Sequence, residues 1–322
     1  MRAEDGQQSA EVDLRRVDPA RHDRNGRTDA VSVRPMPRRR ACLVVPAAPA
    51  AKLAKAHSLE ADEVVIDLED AVVPAAKDEA RSAVAAALRA EFAAPSVAVR
   101  VNAIGTPWCH LDLIAVAGSA REHVTVVLPK VESPGDLAFA DRLLDGAEAA
   151  AGRTTPVRLL ALIETAAGLQ AVAELAGASE RLDGLIIGYA DLAASLGRAG
   201  AAPGDWGFAQ HAVLVAARAA GIQAIDGPHL AIRDDDPFRA EVAHARALGY
   251  DGKWAIHPAQ LDALREAFTP TEAEVADARE TLAVLDRAAA AGAGAVAAGD
   301  RMLDEALAVA ARRVLARAGE AA

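Results

Sequence analysis

From Ala41 onward, short apolar runs alternate with longer Ala-rich stretches whose apolar positions recur at helical spacing. The runs are Ala41–Pro46, Glu63–Leu68, Val97–Val101, Thr125–Leu128, Leu159–Ile163, Leu182–Ile187, Ile222–Ile225 and Lys253–Ile256, each short enough to be a buried strand. Among them, Ala50–Leu59, Lys77–Phe92, Leu111–Ala117, Gly135–Ala151 and Ala166–Ala178 read as helices. Strands spaced this way by helices imply a parallel sheet. About eight strands is the number that closes a barrel, with its active site on the C-terminal rim. An open doubly wound sheet is the structural rival. Past residue 270 the pattern changes to a helix over Thr271–Ala289, a Gly/Ala stretch to Gly299 expected to act as a flexible arm, and a helix over Met302–Ala318. The expected architecture is therefore α/β, a (β/α)8 TIM barrel over 36–270 with a C-terminal helical lid extension over 271–322.

The residues that close the apolar runs are polar: Asp67, Glu69, Asp70, Arg100, Asn102, Lys130, Glu132, Glu164, Asp191, Asp226 and His257. Any one of them could be a helix cap or a rim ion pair. Glu164 and Asp191 stand out because they end two successive strands, and 191 − 164 = 27 residues is close to the roughly 30 of a strand–helix–strand unit. Two carboxylates then meet at one rim, and oxygen ligands with room for water and substrate suit Mg²⁺. The plainer alternative is that each acid caps the helix after it.

Bulk properties narrow the partners. The 322-residue chain is 52% hydrophobic but only 3% aromatic, so its core must be Ala, Val, Leu and Ile, which suits close helix-on-strand packing. A net charge of −11 argues against nucleic acid or an anionic membrane as the main partner. No apolar run reaches membrane-spanning length. Cys42 and Cys109 form neither a disulfide framework nor a metal-ligand spacing, which fits a reducing cytoplasmic setting. Residues 1–35 are polar with no apolar targeting core and are expected to be a disordered tail. The run Arg38-Arg39-Arg40 is expected to solvate the bottom of the fold. Gly292-Ala-Gly294-Ala-Val-Ala297 matches a dinucleotide fingerprint only loosely, with no strand before it.

Taken together, the motifs resemble a known family. Val65-Ile-Asp-Leu-Glu-Asp-Ala-Val72, Lys77-Asp-Glu-Ala-Arg81, Val99-Arg-Val-Asn102, Leu128-Pro-Lys-Val-Glu132, Ala161-Leu-Ile-Glu-Thr165, Gln223-Ala-Ile-Asp-Gly227 and Gly252-Lys-Trp-Ala-Ile-His-Pro258 occur in order. From Arg40 to about Leu315 the chain is similar to the HpcH/HpaI aldolase and citrate lyase β-subunit-like (CitE-like) CoA-ester lyases. The resemblance implies the same barrel, Mg²⁺ (replaceable by Mn²⁺) on Glu164 and Asp191, and Arg100 aimed at the thioester carbonyl. Glu69, Asp70, Lys130, Asp226 and His257 are then expected around the substrate. It also implies that Asp304, in the lid motif Gly299-Asp-Arg-Met-Leu-Asp304, acts as acid/base in a neighbouring subunit of a homo-oligomer, by resemblance a trimer. The implied reaction is C–C cleavage or formation on an acyl-CoA thioester such as malyl-CoA or citramalyl-CoA, with a 2-oxo acid as the other partner. Two departures stand out: Ala47-Ala48 where the family usually has Gly, and Ala190 where it commonly has Glu. Acyl-CoA thioester hydrolysis and a carrier-dependent citrate lyase β-type subunit are the alternative functions. A Schiff base on Lys130 is the alternative mechanism.

Overall fold

The computed structural model describes residues 36–119, 121–199, 206–299 and 301–320, so the expected tail over 1–35 lies outside the described residues. Eight parallel strands close into a barrel in sequence order: β1 (Ala41–Pro46), β2 (Glu63–Asp67), β3 (Ser96–Arg100), β4 (Thr125–Leu128), β5 (Arg158–Ile163), β6 (Leu182–Ile187), β7 (Gln223–Asp226) and β8 (Gly252–Ala255). β1 closes the ring on β8 through Ala41↔Lys253, Cys42↔Trp254 and Leu43↔Ala255. The open-sheet rival is thereby excluded. Between the strands lie α1 (Ala50–Ala56), α2 (Lys77–Ala87), α3 (Cys109–Ala117), α4 (Pro134–Ala151), α5 (Ala166–Gln170), α6 (Val172–Ala176), α7 (Tyr189–Ser195), α8 (Gly207–Ala220) and α9 (Asp236–Leu248). The last strand is followed by α10 (Leu261–Phe268). The single helix expected over Ala166–Ala178 is broken at Ala171, whose ψ of 1° leaves the helical range.

Strand alternation decides which side chains face the barrel axis. One buried cluster takes residues from every strand: Cys42, Val65, Ala98, Val127, Leu160, Leu162, Ile186, Ile225 and Trp254. These fill the interior. Their neighbours, such as Leu43, Ile66, Val99 and Ala224, face the helices and belong to the larger core. Continuing the inward parity upward reaches Asp67, Arg100, Glu164, Gly188, Gly227 and Ile256. Continuing it downward reaches Glu63, Thr125 and Gln223. Asp226 and Lys253 have the opposite parity and sit outside the barrel wall.

The floor is closed by Arg39, which is buried rather than solvating the bottom of the fold. Its Nε donates to Glu63 Oε1 at 2.9 Å, Nη1 to Gln223 Oε1 at 2.7 Å and Nη2 to Thr125 Oγ1 at 3.1 Å. Asp183 Oδ2 lies 3.9 Å from the same guanidinium, and Ser96 Oγ donates to Glu63 Oε1 at 2.8 Å. A buried guanidinium with all three nitrogens hydrogen-bonded is a satisfied plug.

The C-terminal extension holds α11 (Glu272–Ala290) and α12 (Glu305–Ala318), which pack on each other through Ala278, Ala311 and Leu315. The Gly/Ala stretch expected as a flexible arm instead contributes a strand. β9 (Val296–Ala298) pairs antiparallel with β10 (Arg301–Leu303), and Gly299 takes a φ of +62° between them. A glycine adopts that left-handed conformation without a Cβ penalty, and the burial of Leu303 anchors the hairpin. The last helix therefore starts at Glu305, not Met302.

Candidate metal and active site

At the C-terminal rim a cavity of about 180 Å³ is lined on its polar side by Asp70, Arg100, Glu164 and Asp191. Its apolar wall is Val44, Leu162, Tyr189, Pro228, Leu230, Trp254 and Ile256. Glu164 follows β5 directly and is 2% exposed. Two glycines make room around it. A Cβ on Gly188 would lie 2.6 Å from the Glu164 Cβ and 2.7 Å from its Oε2, which no side chain tolerates. On Gly227 a Cβ would lie 2.3 Å from the Ile187 carbonyl oxygen and 2.8 Å from the Tyr189 ring. The inward positions that end β6 and β7 are thus left empty for Glu164 and Tyr189 to occupy.

Lys130 takes a φ of +52°, the left-handed region that a residue with a Cβ enters only at a cost of roughly 1–2 kcal/mol. That backbone turn aims its N–H at Glu164 Oε1 at 3.0 Å, while Nζ donates to Glu69 Oε1 at 2.5 Å. The same ammonium stands 3.8 Å from Glu164 and 3.6 Å from Asp191. Burial pulls the pKa of the Lys130 ammonium down, but the hydrogen bond to Glu69 and the charges of Glu164, Glu69 and Asp191 outweigh it and hold the group protonated. Glu164 is pushed up to about 8, first by burial and then by the negative charge of Glu69, with Lys130 and Arg100 opposing. Glu69 is raised for the same leading reason, burial.

Arg100, the last residue of β3, is gripped by Asp67 through two parallel bonds, Nε to Oδ1 and Nη2 to Oδ2, both 2.8 Å. This fork fixes the guanidinium plane. Nη1 remains toward Glu69 Oε2 at 2.9 Å and Asp70 Oδ2 at 3.8 Å. Glu69 Oε2 makes no hydrogen bond despite that closeness. The Trp254 ring lies under the guanidinium, 6.0 Å away. The loop bearing Glu69 is tied down by Lys77, whose Nζ donates to the Leu68 and Glu69 carbonyls at 2.7 Å each.

The donor set fits a hard divalent cation. Glu164 and Asp191 offer oxygen ligands from adjacent βα units, and around them carboxylates outnumber the two cations Arg100 and Lys130. Among the described residues, no cluster of three or more His, Cys, Asp or Glu could hold a metal by protein ligands alone. That excludes a closed zinc-type shell there, but a Mg²⁺ site needs only one or two carboxylates with water and substrate completing it.

The structure brings together Arg100, Glu164, Asp191, Glu69, Asp70 and Lys130. It does not bring in Asp226 or His257. Asp226 lies outside the barrel wall, its Oδ2 accepting from Lys253 Nζ at 2.6 Å. His257 is exposed and caps the short 3-10 turn that follows, its Nδ1 accepting from Ala259 N at 3.2 Å. Asp304 is exposed on its own chain and caps α12, accepting from Leu307 N at 3.2 Å. Missing from the sequence-derived set is Tyr189, whose only signal is its place two residues before Asp191. Asp67 stands in the sequence as one more polar strand end, and its Arg-gripping function follows from inward parity.

The family model described as HpcH/HpaI aldolase/citrate lyase matches residues 40–258, more than half of the chain. This chain belongs to that family. It is 37% identical over 264 residues to an L-malyl-CoA/beta-methylmalyl-CoA lyase of Rhodobacter capsulatus, covering 76% of this chain and 83% of the relative. It is 36% identical over 284 residues to a (3S)-malyl-CoA thioesterase of Cereibacter sphaeroides, covering 87% and 94%. Among solved structures, the CitE protein of Mycobacterium tuberculosis in complex with magnesium, acetoacetate and coenzyme A superposes with a TM-score of 0.69 at 33% identity. That match covers 87% of this chain and 98% of the other. As a member of the HpcH/HpaI aldolase/citrate lyase family, the chain is a lyase-family enzyme with the α/β barrel of its relatives. No described helix is long and apolar enough to cross a membrane.

Proposed function

We propose that this chain is a Mg²⁺-dependent CoA-ester lyase that cleaves, or forms, the C–C bond of a β-hydroxyacyl-CoA such as malyl-CoA or citramalyl-CoA. The observation that carries the reading is the anionic cup of Glu164, Asp191 and Glu69 beside a fixed, cavity-facing Arg100. Cleavage breaks the bond between the α and β carbons, leaving an enolate on the CoA fragment and a carbonyl on the 2-oxo acid. Glu164 and Asp191 would hold Mg²⁺, which when bound would supply Lewis acidity to the oxo-acid half. Arg100, on the cavity wall with its plane set by Asp67, binds the enolate oxygen. Leu162, Trp254 and Ile256 exclude water from the forming enolate. Lys130 stays an ammonium beside Glu69, which favours this mechanism over a Schiff base. The hydroxyl proton leaves to a base and an acid returns one to the enolate carbon, so the net transfer is oxygen to carbon. We assign that exchange to Asp304 of a neighbouring copy, in a homo-oligomer, most simply a trimer, because Asp304 is exposed and caps a helix on its own chain.

Thioester hydrolysis is the second reading, favoured by the likeness to the (3S)-malyl-CoA thioesterase. Product analysis separates the two. With Mg²⁺ and malyl-CoA, glyoxylate plus acetyl-CoA supports the lyase, whereas free malate plus CoA without glyoxylate overturns it. Sharing of Asp304 is tested by mixing Asp304→Ala with Glu164→Gln under verified subunit exchange. Recovered activity supports a shared site, and none overturns it.

A further inference from the structure

Asp226 and Lys253 are buried, face the helix layer, and have no part in the chemistry above. Their contacts lead to Tyr189. Lys253 Nζ donates to Asp226 Oδ2 and to the Gly227 carbonyl, both at 2.6 Å. The other carboxylate oxygen, Asp226 Oδ1, accepts from the Tyr189 hydroxyl at 2.5 Å, and Gln210 Nε2 donates to that hydroxyl at 2.8 Å. The Tyr189 ring lies over Gly227, where a Cβ would come within 2.8 Å of it, and meets Trp206 on another side with centroids 5.2 Å apart.

Tyr189 opens α7, and Asp191 lies in the same first turn. That turn has no side-chain cap, since Gly188 precedes it. The phenol therefore ties the start of α7 to β7 and β8. We propose that Tyr189, clamped by Asp226 and Lys253, is a positioning residue that holds Asp191 in register with Glu164 for the divalent cation. The inference rests on the metal-site reading proposed above and adds three residues to it. Asp226, expected from the sequence at the substrate, acts here through Tyr189 and touches no ligand.

Calorimetric titration of the full chain with Mg²⁺ tests it. Tyr189→Phe keeps the ring and removes only the hydroxyl. Mg²⁺ affinity is expected to fall by about 10-fold, the lower end of what outer-shell partners of metal ligands contribute. The KM for acyl-CoA at saturating Mg²⁺ should stay within about two-fold, and kcat should return at high Mg²⁺, a split that a merely structural role does not produce. Asp226→Leu with Lys253→Met removes both charges together, so that neither is stranded in the wall, and leaves the phenol no acceptor there. This double variant should lose Mg²⁺ affinity to the same extent, and adding Tyr189→Phe to it should cost little more. The inference fails if Tyr189→Phe and the double variant both bind Mg²⁺ within two-fold of the parent. It also fails if their kcat stays low at saturating Mg²⁺ with affinity unchanged. A parent that binds no Mg²⁺ overturns the metal-site reading, and this inference with it.

Discussion

At the floor of the barrel Arg39 and Arg158 face Glu63 and Asp183, while at the rim Arg100 and Lys130 face Asp67, Glu69, Asp70, Glu164 and Asp191. Both clusters gather at an end of the barrel, from strand ends and the segments that flank them, and both carry buried charge. The floor is balanced in charge and sealed. The rim keeps an excess of carboxylates beside an open cavity, and Glu164 is pushed up to about 8 by its burial and its anionic neighbours. A balanced buried cluster closes a structure, whereas an unbalanced one holds it open to a cation.

Four substitutions break or sharpen that contrast. The largest effect belongs to Glu164→Gln. Mg²⁺-supported turnover should fall by more than about 10³-fold, since metal Lewis acidity contributes several kcal/mol. Thermal midpoint without metal should be unchanged or higher, because a repelled, buried carboxylate has been removed. A clear loss of stability would place Glu164 with the floor residues. Next comes Arg39→Met at the floor, which strands Glu63 without its cation. Urea titration should show a loss of about 3–5 kcal/mol, with kcat of the folded protein unaltered. Arg100→Lys follows: a point charge cannot keep the two bonds to Asp67 and still present a third nitrogen. Turnover should drop about 10²–10³-fold with little change in stability. A change in KM alone would make Arg100 a substrate anchor. The smallest effect is that of Ser96→Ala, which removes one hydrogen bond to Glu63 and should cost about 1.5 kcal/mol by denaturant titration without touching activity.

Much of this contrast is legible in the amino-acid sequence. The barrel follows from strand count and spacing, and Glu164 and Asp191 from their places after successive strands. The direction of each strand-end side chain is not legible there. Strands of a parallel barrel are apolar on both faces, so the sequence pattern does not show which alternation points inward. A one-residue step then separates Ile225, inside the barrel, from Asp226 in the wall, and Ile256 on the cavity from His257 in solvent. Arg39 is hidden for another reason. Nothing local distinguishes it from Arg38 and Arg40, and its partners Glu63 and Gln223 lie 24 and 184 residues away. The left-handed turn at Lys130, which aims a backbone N–H at Glu164, leaves no mark in composition.

The Arg39 plug also bears on how products leave. With the interior filled by Val65, Val127, Ile186 and Ile225 above the floor that Arg39 closes, the described residues leave the cavity no passage down the barrel axis, so it opens at the rim. Under the proposed lyase reaction, both fragments would exit through that rim, and the one seated against Glu164 would depart after the one nearer the opening. An ordered release of this kind shows itself in steady-state inhibition. The last product to leave competes with the substrate for the free enzyme, and the first to leave gives a mixed pattern.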